Sequence, residues 1–151
     1  LHRYKTLPLA VPGMARIYLD ANVFISYAKM EMGWNIRGLF AESERFFYYA
    51  TKNKHTLVLS SLFFFEVEKI TRMKKEDVIN EFKKLGIVVE SVLDVHDLHA
   101  TPYIALGVPR VDAAHVACAI LHHCDMIVTF NLKDFELVQS IIPIRAPAML
   151  V

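Results

Sequence analysis

Acidic side chains stand at several points of this chain where an apolar segment begins or ends. Asp20 follows the apolar residues 17–19, Asp112 stands near the start of the apolar segment 111–121, and Glu66 interrupts an apolar run. Carboxylates that crowd together repel one another, and a divalent cation removes that conflict. Oxygen ligands without a set of cysteines or histidines favour Mg²⁺ or Mn²⁺ over zinc.

Each acid also has an ordinary structural interpretation. Asp20 and Asp112 stand where helices are expected to begin, and Asp is favoured as a helix N-cap and near the positive end of the helix dipole. At helical spacing, Phe63, Glu66 and Ile70 share one face, so a buried Glu66 needs a positive partner. A lysine or arginine at the edge of the core would suffice. Both kinds of interpretation remain open for each acid taken alone.

Apolar strands alternate with helices along the chain and would position these acids. Strands are expected at residues 16–20, 56–60, 87–90, 125–129 and 141–145. Helices are expected at residues 21–30, 39–54, 61–72, 75–85, 93–106, 109–123 and 135–140. Ser60 or Ser61 is a suitable N-cap for the third helix, and Pro102 is expected to kink or divide the fifth. Such alternation indicates an α/β protein whose parallel sheet is covered on both faces.

The expected sheet would bring the polar residues together. In an open parallel sheet, the ligand site lies beyond the carboxyl ends of the strands. Asp20, Glu66, Asp112 and the pair Asn131 and Asp134 all fall after a strand end or at a helix start that faces it. The sequence therefore predicts an oxygen-rich cation site at this edge.

Four short motifs, in this order, resemble those of PIN domains. Residues 17–25 (IYLDANVFI) look like the first strand with its metal-binding Asp, and Ser60 with Glu66 six residues later looks like the second motif. Residues 111–117 (VDAAHVA) look like the third motif, and residues 127–135 (IVTFNLKDF) look like the fourth, in the form common in the VapC-like branch. The resemblance covers residues 16–145, nearly the whole chain.

This resemblance implies a three-layer α/β/α sandwich with a central parallel sheet. It also implies a Mg²⁺- or Mn²⁺-dependent endoribonuclease that hydrolyses RNA phosphodiester bonds. Asp20, Glu66 and Asp112 would be the catalytic metal ligands, while Ser60 and Asn22 would be polar contacts for the substrate. The resemblance leaves open whether such a chain is the toxin of a toxin–antitoxin pair or an RNA-processing nuclease.

The fourth acidic position departs from the family pattern. The family often has Asp two residues after the position of Thr129, where this chain has Asn131. Asn131 would then be a metal ligand without charge, and Asp134 could supply the charge as a fourth catalytic acid and ligand. The number of bound metals, one or two, is open.

Other residues of these motifs have simpler expectations. Arg110 and Lys133 lie beside the motifs and are expected to hold backbone phosphates of the substrate. His115, one turn after Asp112, is expected to be a core or edge histidine rather than a general base.

Charge and composition limit the possible partners. The net charge is +1, so any RNA binding depends on local charge. The best candidate for an RNA-binding surface is the set Lys69, Arg72, Lys74, Lys75, Lys83 and Lys84. These basic residues are explained equally well as the solvated surface of a helical hairpin whose acidic residues balance their charge. Hydrophobic residues make up 54% of the chain, and this excess favours a homodimer face or a protein partner such as an antitoxin.

Residues 1–15 are expected to be an irregular N-terminal extension, and residues 16–151 the nuclease-like domain. No apolar stretch reaches the roughly 18 residues that cross a membrane. Cys118 and Cys124 are not expected to pair, which makes a reducing cytoplasm the expected location.

The sequence leaves room for rival interpretations. A non-catalytic PIN-like scaffold that binds RNA or protein is kept open by Asn131. A zinc site at residues 94–99 has His96 and His99 but lacks further cysteine or histidine ligands. Phosphoryl transfer on Asp20 would need an acid two residues later, where Asn22 stands, or an acid pair before it. No phosphate-binding glycine loop is present, which disfavours nucleotide-binding folds.

Overall fold

The computed structural model describes residues 14–31, 37–94 and 97–150. Its centre is a five-stranded parallel sheet with the strand order β3-β2-β1-β4-β5. The strands are β1 (Arg16–Leu19), β2 (Thr56–Ser60), β3 (Val88–Val92), β4 (Met126–Val128) and β5 (Ile144–Arg145). The first strand of the chain is therefore the middle strand of the sheet.

Helices cover both faces of this sheet. They are α1 (Ala21–Glu31), α2 (Arg37–Lys52), α3 (Ser61–Thr71), α4 (Lys75–Lys84), α5 (Asp97–Ala105) and α6 (Arg110–Leu121), with 3₁₀ helices at Leu132–Val138 and Pro147–Met149. The expected α/β class and the three-layer α/β/α sandwich with a parallel sheet are confirmed.

The alternation of side chains along each strand divides the core into two parts. Ile17 and Leu19 of β1 pack with residues of α1, α2, α3 and α4 on one face. Tyr18, between them in the sequence, packs on the other face with residues of α5, α6 and the 3₁₀ helix Leu132–Val138. This alternation follows from the two-residue period of a strand, and it directs Tyr18 toward α6.

Local signals fix the start of α3 as expected. Ser60 is its N-cap, and the Ser60 hydroxyl oxygen accepts a hydrogen bond of 3.1 Å from the backbone N–H of Phe63. Phe63 is fully buried, and its ring lies 6.2 Å from that of Phe24 in α1. The cap and the aromatic contact together hold α3 at the carboxyl end of β2.

Several sequence expectations need correction. Of the two expected effects of Pro102, division of the helix is wrong, because Pro102 lies inside α5, while a kink stays a prediction. Glu66 does not lie on the buried stripe of α3, because the buried residues of that helix are Phe63, Phe64, Val67 and Thr71, while Ile70 is 49% exposed. The expected helix at residues 135–140 is the 3₁₀ helix Leu132–Val138, and the other boundaries move by a few residues.

Two expectations fall on residues that are not described. Residues 1–13 of the expected N-terminal extension lie outside the described ranges, and so does His96 of the rejected zinc site. Over the ranges that are described, no single helix is long and apolar enough to cross a membrane, although α5 and α6 taken as one bent pair meet the criteria of length and composition.

Candidate metal centre

The carboxyl edge of the sheet carries a polar cluster where β1 lies between β2 and β4. The chain leaves these strands in different directions, and a crevice at such a switch point is the usual ligand site of an open parallel sheet. Asp20 follows β1 directly, and Thr129 follows β4 directly. The topology therefore brings together residues that are 109 positions apart in the sequence.

Asp20 is held in place by its neighbours. Its carboxylate Oδ2 accepts a hydrogen bond of 2.7 Å from the hydroxyl of Thr129, which is fully buried. The same hydroxyl oxygen accepts a bond of 3.0 Å from the backbone N–H of Asn131. Asn22 adds a further link, since its Oδ1 accepts the backbone N–H of Phe130 at 3.3 Å. These bonds hold the Asp20 carboxylate in a fixed position beside Thr129.

Glu66 and His115 complete a compact group with Asp20. Glu66 Oε1 lies 3.7 Å from His115 Nε2, and one ligand atom from each of Asp20, Glu66 and His115 lies within 4.8 Å of the others. His115 is buried, whereas Glu66 is partly exposed. Two carboxylates and an imidazole nitrogen at this spacing are a plausible set of ligands for one divalent cation.

A chain of hydrogen bonds orients the His115 ring. Its Nδ1 lies 2.6 Å from the hydroxyl oxygen of Tyr18, and the Tyr18 hydroxyl donates to Ser60 Oγ at 3.0 Å. Tyr18, His115 and Ser60 are all buried, so this chain is shielded from solvent. The Ser60 oxygen is the N-cap of α3, which means that one buried network connects the histidine to the helix that carries Glu66.

Asp112 adds a third carboxylate to the cluster. Burial, and after it the nearby charges of Asp134, Asp20 and Glu66, raise the pKa of Asp112 to about 6 against the opposing effect of His115. Burial likewise raises the pKa of Asp20, against the opposing effects of His115 and Thr129. The acids therefore lie close enough to disfavour one another's charge, which is the condition that a cation would relieve.

The pKa of His115 is also raised, but by the neighbouring acids rather than by burial. Burial lowers its pKa, but Glu66, Asp20 and Asp112 raise it by more, so the net pKa of His115 is raised. The imidazole of His115 is thus the ion-pair partner that the structure gives Glu66, where the sequence had suggested lysine or arginine.

These residues surround an open cleft of about 300 Å³. Its polar lining consists of Asp20, Asn22, Glu66, Lys69, Asp112, His115 and Asn131. The structure thus brings together most of the residues expected at the site, and it adds His115 and Lys69.

Other expected site residues lie elsewhere. Ser60 is fully buried, so it has no surface for a substrate and serves instead to cap α3 and bond Tyr18. Arg110 lines a separate, apolar pocket with Leu62 and Leu98. Lys133 and Asp134 are exposed on the 3₁₀ helix and do not line the cleft, although the charge of Asp134 acts on Asp112.

His115 was expected in the core or at its edge, and it is buried as expected, but its contact with Glu66 was not predicted. The available signal was its position three residues after Asp112, which places both side chains on one face of α6. Lys69 had been noted only as part of a basic segment. Tyr18 had been noted only as a buried strand residue.

The donor set fits a divalent cation. It offers carboxylate oxygens from Asp20, Glu66 and Asp112, an amide at Asn131 and one imidazole, and such oxygen-rich sets suit Mg²⁺ and Mn²⁺. Comparison of the chain with protein-family models and with curated proteins found no match in either case. The geometry of the cleft and the motif resemblance are therefore the features that bear on function.

Proposed function

We propose that this protein is a metal-dependent endoribonuclease that hydrolyses RNA phosphodiester bonds in the cleft at the carboxyl edge of the sheet. The observation that carries the proposal is the group Asp20, Glu66 and His115, whose ligand atoms lie within 4.8 Å of one another beside Asp112. The resemblance to PIN domains supports hydrolysis of RNA as the reaction.

Asp20, Glu66 and His115 would hold the cation, and Asp112 and Asn131 line the same cleft. A bound Mg²⁺ or Mn²⁺ supplies positive charge to a phosphate oxygen and lowers the pKa of a bound water to make a nucleophile. Asp134 does not line the cleft. We propose that its negative charge contributes by raising the pKa of Asp112.

The protein's own residues have two tasks in this proposal. Thr129 and Tyr18 hold Asp20 and His115 in fixed orientations, so that the ligands need little reorganisation on binding. Lys69 lines the cleft and is suitably placed to contact a phosphate group of the substrate. A phosphodiester that approached the acids alone would be repelled, so substrate binding should depend on the cation and on Lys69.

A neighbouring groove suggests where the RNA continues. It has a volume of about 690 Å³ and is lined by Phe65, Glu68, Lys69, Arg72 and Lys74. Lys69 lines both the groove and the cleft, which makes the two surfaces continuous at this residue. Phe65 is 63% exposed and could stack against an unpaired base. Arg110 and Lys133 remain candidates for contacts with backbone phosphates of the RNA that lie outside the cleft.

The proposal extends to partners and location. Leu98 and Val111 are 73% and 53% exposed beside an apolar pocket of about 380 Å³ on α5 and α6, which fits a second copy of the chain or an antitoxin-like protein. Cys118 and Cys124 are free thiols, which fits a reducing cytoplasm. A toxin and an RNA-processing enzyme would share all these features.

The test is incubation of the purified protein with a labelled RNA and a DNA of the same sequence, with Mg²⁺ or Mn²⁺ and then with EDTA. Cleavage of the RNA only when metal is present supports the proposal. Binding of RNA without cleavage under any metal condition would favour the non-catalytic scaffold. Cleavage of the DNA at an equal rate would contradict the assignment to RNA.

A further inference from the structure

His55 is a buried histidine at the amino edge of the sheet, opposite the edge that carries the cleft. It directly precedes β2 and is 1% exposed. Its Nδ1 accepts a hydrogen bond of 3.0 Å from the backbone N–H of Ala15, the residue before β1. Because an amide N–H can only donate, Nδ1 carries no proton, and the proton of the neutral ring is on Nε2. This Nε2 is buried and has no hydrogen-bond partner in the described part of the chain.

The bond from Ala15 to His55 holds the chain where it enters β1. Two backbone bonds also join this point to the start of β2, from the Met14 N–H to the Asn53 carbonyl at 3.0 Å and from the Thr56 N–H to the Ala15 carbonyl at 2.9 Å. Met14 has a φ of 75°, a left-handed conformation that residues with a side chain rarely adopt, and it is 78% exposed. The entry to β1 is therefore strained, and His55 supplies the one of these contacts that a proton can remove.

Protonation of His55 is incompatible with this arrangement. The protonated ring has a donor at both nitrogens, so its Nδ1–H would face the N–H of Ala15, and a positive charge would be buried. Burial lowers the pKa of His55, against the opposing effect of Asp125, whose carboxylate accepts the backbone N–H of Arg16. The ring of Tyr49 lies 5.0 Å from that of His55 and is neutral, because burial raises the pKa of its hydroxyl. Neither Asp125 nor Tyr49 is a hydrogen-bond partner of Nε2.

We propose that His55 is an acid-sensitive switch whose neutral ring holds Met14 and Ala15 against the start of β2 and whose protonated ring releases them. In the released state the pKa of His55 returns to its ordinary value of 6.5, whereas in the closed state it is lowered. Release is therefore disfavoured above pH 6.5 and becomes about tenfold more favourable for each pH unit below it, until the lowered pKa is reached. This switch is independent of the proposed nuclease activity.

Amide hydrogen exchange of the whole chain, measured by NMR between pH 7.5 and pH 4.5, tests the switch. The protection factors of the Ala15 and Thr56 amides should fall about tenfold per pH unit below pH 6.5. The amide of Ile127, which bonds to the carbonyl of Pro143, should keep its protection because the release is local. His55→Asn offers Ala15 an acceptor that does not titrate, so its protection factors should be independent of pH in this range.

The control is His123→Asn, which replaces an exposed histidine and should show the pH dependence of the unmodified protein. An equal loss of protection in His55→Asn would overturn the proposal, and so would a parallel loss at Ile127, which would mean that the whole chain unfolds. The unmodified protein is decisive even if His55→Asn does not fold. Its ring ¹⁵N shifts at pH 7.5 should show a proton on Nε2 of His55 and none on Nδ1. The opposite tautomer, or protection of Ala15 that is constant with pH, would overturn the proposal.

Discussion

The Nδ1 atom of His115 lies 2.6 Å from the hydroxyl oxygen of Tyr18, and both residues are buried. Tyr18 points toward α6 because it alternates with Ile17 and Leu19, whose side chains pack on the other face of β1. A strand residue thus orients a helix residue that faces the acids. The central strand of the sheet therefore helps to fix the orientation of the polar cluster through Tyr18.

Tyr18→Phe should weaken metal binding while the fold is retained. Phenylalanine keeps the ring in the core but leaves His115 Nδ1 without its partner. Loss of such an outer contact typically costs about 10- to 100-fold in metal affinity. Calorimetric titration with Mn²⁺ measures the effect, and Tyr48→Phe is the matched control because Tyr48 is 69% exposed. An unchanged affinity in Tyr18→Phe would show that Tyr18 does not position the site.

Thr129→Val should disturb Asp20 in a similar way. Valine has nearly the shape of threonine, but it cannot donate to Asp20 or accept from the backbone N–H of Asn131. An unpaired buried group costs about 1–3 kcal/mol, so the free energy of unfolding should fall along with metal affinity. Thr129→Ser keeps the hydroxyl and should restore most of the affinity. Equal affinities in the valine and serine variants would argue against this role.

Asp112→Asn should make the metal-free protein more stable at pH 7. The pKa of Asp112 is raised from 3.8 to about 6 in the folded state, so between these values the folded protein binds more protons than the unfolded chain. Its free energy of unfolding therefore falls as pH rises through this window. Asparagine does not ionise, so this loss of stability disappears. We expect the free energy of unfolding at pH 7 to rise by about 1 kcal/mol, a value reduced for solvent screening because Asp112 is partly exposed.

Thermal or urea unfolding in EDTA tests this expectation. The stabilisation should be present at pH 7 and should vanish at pH 4, where Asp112 is largely protonated in the folded protein. Asp125→Asn is the control, because Asp125 lies at the opposite edge of the sheet, where it accepts the backbone N–H of Arg16. Destabilisation of Asp112→Asn at pH 7 would contradict the idea that the acids repel one another.

The sequence predicted the location of the polar residues, at the carboxyl edge of the sheet, better than it predicted the orientation of individual side chains. Asp20 could be placed because a buried strand ends there. Glu66 was assigned to the wrong face, since contacts between α3 and α1 set the orientation of that helix. Arg110 was expected to hold a backbone phosphate of the substrate, but residues two apart on a helix face different directions, so Arg110 does not follow Asp112 into the cleft. Arg110 consequently reaches the pocket of Leu62 and Leu98.

The contacts of His115 could not be read from local sequence. Its partner Tyr18 is 97 positions away, and Glu66 belongs to a different helix. A buried histidine on an apolar helix is usually a core residue, so its chemistry becomes visible only when the packing of β1 and α3 against α6 is known. Ser60 illustrates the reverse case, because a polar residue expected at the substrate is in fact a buried helix cap.

Lys69→Gln should weaken RNA binding without loss of metal binding. Lys69 lines the cleft and the adjoining groove, and a contact with one phosphate contributes about 0.7 to the salt dependence of single-stranded binding. We expect the slope of log affinity against log salt to fall by about this amount, measured in an Asp20→Asn background to prevent cleavage. Lys52→Gln, near the amino end of β2, should leave the slope unchanged. An unchanged slope in Lys69→Gln would remove Lys69 from the RNA path.

The most direct test of the account compares RNA cleavage by the unmodified chain, Asp20→Asn and Asp125→Asn, each with Mn²⁺ and with EDTA. The account predicts cleavage that requires Mn²⁺, that is abolished in Asp20→Asn and that is unaffected in Asp125→Asn, with all three proteins folded by circular dichroism. Cleavage that persists in Asp20→Asn, or that proceeds in EDTA, would contradict the assignment of the active site to this cleft.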